Sequence, residues 1–418
     1  MQATRPFHLM VKPTGAVCNL GCDYCYFLKK EDLYPDSSFR MSDAVLERFV
    51  EQMIAAQPGP EVAFAWQGGE PTLMGLDFFE RAVALTEARR RPHQRITHTL
   101  QTNTTKLDDA WGAFLARHGF LVGVSLDGPR ALHDRYRRDK AGRGSFDAVM
   151  GGVDVLRRHG VAWNALVTVH AGNAEAPLEV YRFLRDEAGA RFVQFIPIVE
   201  RADPSGFQVG TALTERSVSG EAYGRFLLAV FDDWVRRDVG TVFVQAFDDL
   251  LGKHLGAPGG VCVHQPTCGD ALALEHTGDV YACDHFVQPD HRLGNLTELP
   301  LAALVDDPRL RAFGAAKRDT LTAQCRRCPV LAFCHGGCPK DRVAVSVDGE
   351  PGQHHLCEGY FAFFTRTAPA MRWMADAWRR GEPPAGVVDA VRSGALQPVL
   401  LARTRDQPRP SANLSTRR

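Results

Sequence analysis

The sequence carries no excess of charge of either sign, because Lys plus Arg and Asp plus Glu each total 49 among its 418 residues. Proteins that bind nucleic acid usually have a basic excess, so nucleic acid is not an expected partner. The chain also has no apolar run long enough to span a membrane. Its first residues, Met1 to His8, lack the charged and then apolar layout of a signal peptide. We therefore expect a cytoplasmic protein that does not enter a membrane.

Cysteine is missing from the whole stretch between Cys25 and Cys262. The eleven cysteines of the chain are an odd number, and no export signal precedes them, so a framework of disulfides is not expected. Cysteines that only fill a core would not leave such a gap. Their grouping into two regions indicates metal ligation.

Short, almost wholly apolar runs alternate with amphipathic helical runs in the first half of the chain. Such runs are typical of strands buried on both faces of a parallel sheet, with helices as the crossover connections. The predicted strands are 7–13, 61–67, 96–102, 120–126, 161–169 and 192–199. We predict an α/β fold with six strand–helix units in a first domain, residues 1–215. The pattern leaves open whether the sheet is open, half-closed or a full barrel.

The second half of the chain differs in composition. A polar, turn-prone segment at 202–206 ends the strand–helix pattern, and a helical stretch near 221–237 lies in a predicted linker, residues 216–258. Residues 259–380 form a module rich in Gly, Pro and Cys that ends in an aromatic-rich helix; bound metal would have to stabilise it. The remainder, residues 381–418, is rich in Pro and Arg and is predicted to be a mobile tail.

Cys18, Cys22 and Cys25 follow the first predicted strand with the spacing C-x3-C-x2-C. Three thiolates hold three irons of a cubane cluster and leave the fourth iron open, whereas a structural cluster takes four cysteines. An open metal position is what chemistry needs. The alternatives are a zinc knuckle or incidental core cysteines, but zinc would need a fourth ligand, and the closest histidine, His8, lies in the preceding strand.

This spacing, with Tyr24 before the third cysteine, resembles the signature of radical S-adenosylmethionine (SAM) enzymes. The resemblance implies a [4Fe–4S] cluster whose open iron chelates SAM. It also implies reductive cleavage of SAM to a 5′-deoxyadenosyl radical that abstracts hydrogen from a substrate. The six strand–helix units are what the partial (β/α)6 barrel of that family would show.

Further residues near predicted strand ends match the same family. Gly68, Gly69 and Glu70 follow the second strand and resemble its GGEP element, in which Glu70 would receive the ammonium group of SAM. Ser125, at the end of the fourth strand, and Arg137 beyond it would face the carboxylate or ribose of SAM. An ordinary tight turn and ordinary loop residues are the alternatives.

Eight cysteines remain in the second region, which is two sets of four. The region resembles the SPASM module of radical SAM enzymes, which binds two auxiliary [4Fe–4S] clusters and would bring the total to three. The resemblance implies one set for each cluster, although two zinc sites would suit the same thiolates. The two sets are Cys262, Cys268, Cys283 and Cys338 for the first cluster, and Cys325, Cys328, Cys334 and Cys357 for the second.

Longer stretches, among them HLMVKPTGAVCNLGCDYCYF, FAWQGGEPTLMGLDFFE and FCHGGCPKDR, are similar to anaerobic sulfatase-maturating enzymes over roughly the first 370 residues. The resemblance implies oxidation of an active-site Cys or Ser of an unfolded or nascent sulfatase to Cα-formylglycine, after loss of a Cβ hydrogen. It also implies an electron donor such as flavodoxin or ferredoxin. One departure stands out: Thr104 and Thr105 follow LQTN where the family commonly has glycine and threonine.

The same resemblance gives roles to three further residues. Asp284, directly after Cys283, matches the family's proposed base; a solvated loop carboxylate or a hydrogen-bond cap is the alternative. Gln67 and Gln101, at adjacent strand ends, could hold the substrate backbone, or they could be satisfied polar core residues. An auxiliary cluster could accept the second electron.

Two other functions stay open at this point. A radical SAM enzyme that forms thioether or carbon–carbon links in a ribosomally made peptide would share every cluster motif. A non-catalytic zinc scaffold that binds protein partners would share the cysteines alone.

Overall fold

The structure, a computed structural model, describes residues 2–205, 207 and 209–397. Its strands alternate with helices up to residue 197 and are shorter afterwards. The strands are β1 (His8–Lys12), β2 (Glu61–Trp66), β3 (Arg95–Thr102), β4 (Leu121–Ser125), β5 (Ala162–Val169), β6 (Phe192–Pro197), β7 (Phe243–Val244), β8 (Ala271–Glu275), β9 (Asp279–Tyr281), β10 (Arg292–Asn295), β11 (Ala344–Val345) and β12 (Pro351–Gln353).

Helices pack on one face of this sheet and recur through the second half of the chain. The α-helices are α1 (Asp43–Ala56), α2 (Leu76–Arg89), α3 (Asp109–Arg117), α4 (Arg130–His133), α5 (Phe146–Arg158), α6 (Pro177–Arg182), α7 (Gly220–Val235), α8 (Gln245–His254), α9 (Leu301–Val305), α10 (Pro308–Asp319), α11 (Ala323–Arg326), α12 (Leu331–Cys334), α13 (Cys357–Arg379) and α14 (Val387–Arg392). A π-helical turn, Phe183–Glu187, extends α6.

The six strands predicted from the apolar runs all form, and each pairs in parallel with the next from β1 to β6. The intervening helices bury one stripe against the sheet. In α1 the stripe is Leu46, Phe49, Val50 and Met53, and Ser42 caps the helix by accepting a hydrogen bond from the Val45 N–H. Phe49 packs edge-on against Phe64 of β2, so the core lies between the sheet and its helices.

The sheet continues beyond the first domain, which the sequence did not predict. β8 pairs in parallel with β1, and the β8–β9–β10 hairpins extend the sheet on that side, so the strand order is β10-β9-β8-β1-β2-β3-β4-β5-β6-β7. The order has two ends, β10 and β7, so the sheet is not a closed barrel. The cysteine-rich segment is therefore joined directly to the strand that precedes Cys18.

Helices α7 and α8 connect the halves of the molecule: α7 packs against α6, α8 packs against β6, and α13 packs against both α7 and α8. After α13, residues 387–392 form α14, with Val387 and Val391 buried. This helix lies within the predicted mobile tail, whose mobility stays a prediction. The rest of that tail, 398–418, lies outside the described residues. In the described part of the chain, no helix is both long and apolar enough to cross a membrane.

Candidate active site

Four loops meet where the parallel strands end, because the carboxyl ends of parallel strands lie at one edge of the sheet. The loop after β1 carries Cys18, Cys22 and Cys25, and the loop after β2 carries Gly68 to Glu70. Asn103 follows β3, and Asp127 follows β4. The structure thus places the first cysteine motif and the SAM-binding candidates on the same edge.

The three thiols after β1 lie close enough to influence one another. Burial raises the pKa of Cys18 to about 12, and Glu70, Cys22 and Cys25 contribute to the rise. Burial likewise raises the pKa of Cys22 to about 11. Such thiols stay protonated at neutral pH unless a bound cation stabilises the thiolates. This set of donors fits a cluster held by three thiolates.

The glycine loop packs directly against the cysteine loop. A Cβ added to Gly69 would lie 2.0 Å from the carbonyl oxygen of Val17. The Gly69 N–H donates to the Gly15 carbonyl (2.8 Å), and the Glu70 N–H donates to the Val17 carbonyl (3.0 Å). Glycine is required here because two backbones touch. The structure thus shows close approach of the glycine loop to the segment that precedes Cys18.

The Glu70 carboxylate is fully buried and accepts four hydrogen bonds within the chain. Its Oε1 accepts from the Thr72 N–H (3.1 Å), the Thr72 hydroxyl (2.7 Å) and the Thr102 hydroxyl (2.7 Å). Its Oε2 accepts from the Asn103 N–H (2.8 Å). Glu70 therefore ties the end of β3 to the glycine loop, and its role as an acceptor for the SAM ammonium stays a prediction.

The loop after β3 reaches the first cysteine. The Asn103 side chain donates to the Asn19 amide oxygen (2.9 Å) and lies 3.7 Å from the Cys18 sulfur. Thr104, the residue that departs from the family pattern, has a φ of 59°, in the left-handed region that glycine prefers. Its hydroxyl donates to the Val149 carbonyl (2.9 Å), which gives the threonine a partner that glycine would lack.

A buried network lies beside the cysteine loop and centres on Asp127, which the sequence analysis did not select. Arg137 donates to both Asp127 oxygens at 2.8 and 3.1 Å, and the Tyr24 hydroxyl hydrogen-bonds the same carboxylate. Burial raises the pKa of Asp127, but Arg137 together with His133 and His170 lowers it below its usual value, so the carboxylate stays ionised. Tyr24 and Arg137 are thus brought together here. The LDGP sequence after β4, which contains Asp127, was the signal from which this residue could have been predicted.

The two predicted glutamines and Ser125 lie on the face of the sheet that is turned away from the helices, which we call the inner face. Gln101 is exposed between the buried neighbours Leu100 and Thr102, so it points away from the helices. Gln67 and Ser125 are partly buried at the ends of β2 and β4. Gln101 is therefore not a buried core residue, which leaves it available to a ligand on that face.

Asp284 is buried at the turn after Cys283 and contacts two residues of the first domain. One carboxylate oxygen forms an ion pair with Lys12 at the end of β1, and the other accepts a hydrogen bond from the Tyr26 hydroxyl. Burial raises its pKa, but Lys12 and then His285 and Tyr26 lower it below its usual value. This excludes a solvated loop carboxylate, one of the alternatives for Asp284. Lys12 and Tyr26 were not predicted from the sequence as site residues. A lysine at the end of an apolar strand was a signal that could have indicated Lys12.

The remaining eight thiols fall into two groups by their mutual electrostatic influence. Burial raises the pKa of Cys283 and of Cys268. The thiols of Cys338 and Cys262 raise the pKa of Cys283 further, and the thiol of Cys262 does the same for Cys268. Burial raises the pKa of Cys334 to about 12, and Cys357, Cys325 and Cys328 add to that rise. Within the described residues, no three His, Cys, Asp or Glu side chains are grouped so as to hold a single metal ion. Each group contains four thiols, which is the number of donors that a structural [4Fe–4S] cluster takes.

Comparison with known proteins matches both regions to protein families. Residues 13–184 match the Radical SAM superfamily, and residues 264–329 match an iron–sulfur cluster-binding domain named SPASM. The chain is 42% identical over 403 residues to a serine-type anaerobic sulfatase-maturating enzyme of Bacteroides thetaiotaomicron, covering 94% of this chain and 97% of the relative. The chain belongs to the anaerobic sulfatase-maturating enzymes. The resemblance stated from the motifs is thereby confirmed.

Two further family members agree with this assignment. A cysteine-type enzyme of Clostridium perfringens is 31% identical over 88% of this chain and 97% of its own length. A solved structure described as "Native anSMEcpe with bound AdoMet and Cp18Cys peptide" has a TM-score of 0.79 at 31% identity, covering 89% of this chain and 99% of that one. The α/β fold of radical SAM type with a SPASM module is confirmed, as is the expectation of [4Fe–4S] clusters and SAM.

Proposed function

We propose that the protein oxidises an active-site Ser or Cys of a sulfatase polypeptide to Cα-formylglycine. The observation that carries this proposal is the 42% identity to a serine-type anaerobic sulfatase-maturating enzyme over almost the full length of both chains. The position of Asp284 also supports it. This residue is buried at the junction of the two halves, and its carboxylate lies close enough to Cys283 to raise the pKa of that thiol.

Residues in different parts of the site would have different roles. Cys18, Cys22 and Cys25 would hold the SAM-binding cluster, which, when loaded and reduced, cleaves SAM to the radical that takes a Cβ hydrogen. The glycine loop, Ser125 and Arg137 would place SAM over the sheet edge. Gln67 and Gln101 would hold the peptide backbone on the inner face of the sheet.

Asp284 would accept the thiol or hydroxyl proton of the substrate. Its carboxylate is held ionised by Lys12, and each of its oxygens can accept a further hydrogen bond beside those from Lys12 and Tyr26. A base must be ionised before it can accept a proton, so the ion pair keeps Asp284 in its active form. The two sets of four thiols, Cys262, Cys268, Cys283 and Cys338, and Cys325, Cys328, Cys334 and Cys357, would hold the auxiliary clusters.

Serine is the favoured target residue. The serine-type relative is 42% identical to this chain, and the cysteine-type relative is 31% identical. An external one-electron donor of the flavodoxin or ferredoxin type would supply the reducing electron, and the substrate would be a nascent or unfolded sulfatase.

The test is anaerobic incubation of the reconstituted enzyme with SAM, reductant and matched sulfatase-like peptides that differ only in Ser or Cys. We expect a formylglycine aldehyde by mass spectrometry, with the serine peptide consumed first in a mixture. We also expect about twelve irons per chain, from three four-iron clusters. Near-stoichiometric zinc would return the zinc scaffold to consideration. Cleavage of SAM without aldehyde in either peptide would favour the thioether or carbon–carbon crosslinking alternative.

A further inference from the structure

Lys317 is a fully buried lysine whose side chain ends at the backbone of Cys262, a member of one of the two cysteine groups. It lies on α10, and its ammonium donates to the carbonyl oxygens of Cys262 (2.8 Å) and Val263 (3.0 Å). An ammonium has three donors, so these two neutral acceptors leave one donor unused. Of the described carboxylates, none forms an ion pair with Lys317.

The helix that carries Lys317 also contacts Cys268 of this cysteine group. Gly314, one turn earlier on α10, accepts a hydrogen bond from the Cys268 N–H (3.1 Å), and a Cβ on Gly314 would lie 2.3 Å from the Cys268 carbonyl oxygen. Burial lowers the pKa of Lys317, whereas Cys268, Cys338 and Cys262 raise it. Three of the four thiols in the group therefore lie within electrostatic reach of its ammonium.

A buried ammonium is costly unless a negative charge compensates it. Four thiolates around a four-iron cluster give a net negative charge, and that charge becomes one unit more negative when the cluster is reduced. A cation held beside it in a poorly polarisable interior stabilises the reduced form more than the oxidised form. A cluster at this position would therefore have a higher reduction potential with Lys317 than without it.

We propose that Lys317 is a positioning residue that raises the reduction potential of the auxiliary cluster held by Cys262, Cys268, Cys283 and Cys338. This inference rests on the proposed function, because it requires that these thiols bind a cluster. A higher potential makes a cluster a better electron acceptor. The effect is local: α10 contacts Cys268 directly, and the thiols that act on Lys317 all belong to this one group.

Lys317→Met tests the proposal, since methionine keeps the length of the side chain and removes its charge. Arg318→Met is the matched control: it removes one positive charge from the next residue of the same helix, but from an exposed side chain paired with Asp319. Lys317→Arg restores the charge. The readout is the reduction potential of each cluster in the reconstituted full-length enzyme, measured by a redox titration followed by electron paramagnetic resonance, with iron content determined in parallel.

In Lys317→Met we expect full iron content and a single transition displaced to lower potential. The ratio of reduced to oxidised cluster at a fixed potential should fall at least tenfold, which is 59 mV for one electron. Arg318→Met should match wild type, and Lys317→Arg should recover most of the shift. Unchanged potentials in an iron-replete Lys317→Met enzyme would overturn the proposal. Loss of about four irons would also overturn it, because Lys317 would then only support the Cys262 segment. Absence of auxiliary clusters from the wild-type enzyme would instead refute the proposed function.

Discussion

Lys12 and Asp284 form a buried ion pair that joins the first strand of the sheet to the turn after Cys283. Lys12 ends β1 immediately before the first cysteine loop, and Asp284 follows a cysteine of the second region. The pair therefore links the end of the site proposed to bind SAM to the end proposed to hold an auxiliary cluster. Because both side chains are buried, each charge depends on the other for compensation.

Removing the charge of Lys12 should change the pH dependence of the reaction. Burial raises the pKa of Asp284 and Lys12 is the first of the groups that lower it, so in Lys12→Met that pKa should rise. The carboxylate would then be protonated at a higher pH, and the acid limb of formylglycine formation should move to higher pH. Lys12→Arg keeps the charge and should keep the wild-type limb. A pH profile of product formation checks this, and identical limbs for wild type and Lys12→Met would show that Lys12 does not control Asp284.

The contact between Gly69 and Val17 predicts that a substitution at Gly69 removes the irons held by the first cysteine motif and leaves the auxiliary irons in place. A methyl group at Gly69 would collide with the Val17 carbonyl oxygen, and the displaced segment leads directly into Cys18. We expect Gly69→Ala to lose about four of its twelve irons and most SAM cleavage, while the eight auxiliary irons remain. Gly151→Ala is the control, since Gly151 has open space around it within α5 and alanine there should stabilise by about 0.5–1 kcal/mol. Full iron and activity in Gly69→Ala would contradict the close packing.

The backbone conformation of Thr104 predicts that glycine stabilises the protein more than alanine does at this position, which reverses their usual order of stability. At a φ of 59°, a residue with a Cβ is strained by roughly 1–2 kcal/mol, whereas glycine is not. Thr104→Ala and Thr104→Gly both lose the hydrogen bond to Val149, but only glycine relieves the strain. We expect the Thr104→Gly enzyme to be more stable than Thr104→Ala by about 1 kcal/mol. Thermal unfolding of the two variants side by side measures this, and a more stable alanine variant would contradict the backbone conformation.

Local patterns predicted the first half of the fold well. Each strand from β1 to β6 lies within one of the predicted runs, so a few consecutive residues suffice to identify it. The expectation that both faces are buried is wrong, because residues alternate between buried and more exposed along the strands, as Leu100 and Gln101 do in β3. The Ser42 cap and the α1 stripe are equally local. The departure at Thr104 was visible in the sequence, but only the positive φ explains why glycine is common at this position in the family.

What the sequence did not predict depends on contacts between distant segments. Ala271–Glu275 is a short strand whose place beside β1 is set by pairing, for example of Glu275 with Lys12, rather than by its own pattern. The partners of Asp284 are also remote in sequence, because Lys12 and Tyr26 belong to the first domain. Asp127 was missed because a single Asp after a strand is common in turns.

Asp284→Asn separates the radical step from the step that needs a base. Hydrogen abstraction requires bound SAM and a correctly placed Cβ, so the variant should keep its irons and still release 5′-deoxyadenosine carrying deuterium from a labelled substrate Cβ. Asparagine preserves the size of Asp284 and can still accept from Tyr26, but it cannot take the substrate proton. A positioned base contributes about 10²–10⁴-fold, so formylglycine formation should fall at least about 100-fold. Wild-type yield would remove Asp284 from the catalytic residues. Loss of iron would instead show that the buried carboxylate and its pairing with Lys12 support the segment around Cys283, because asparagine leaves the Lys12 ammonium without its counter-ion.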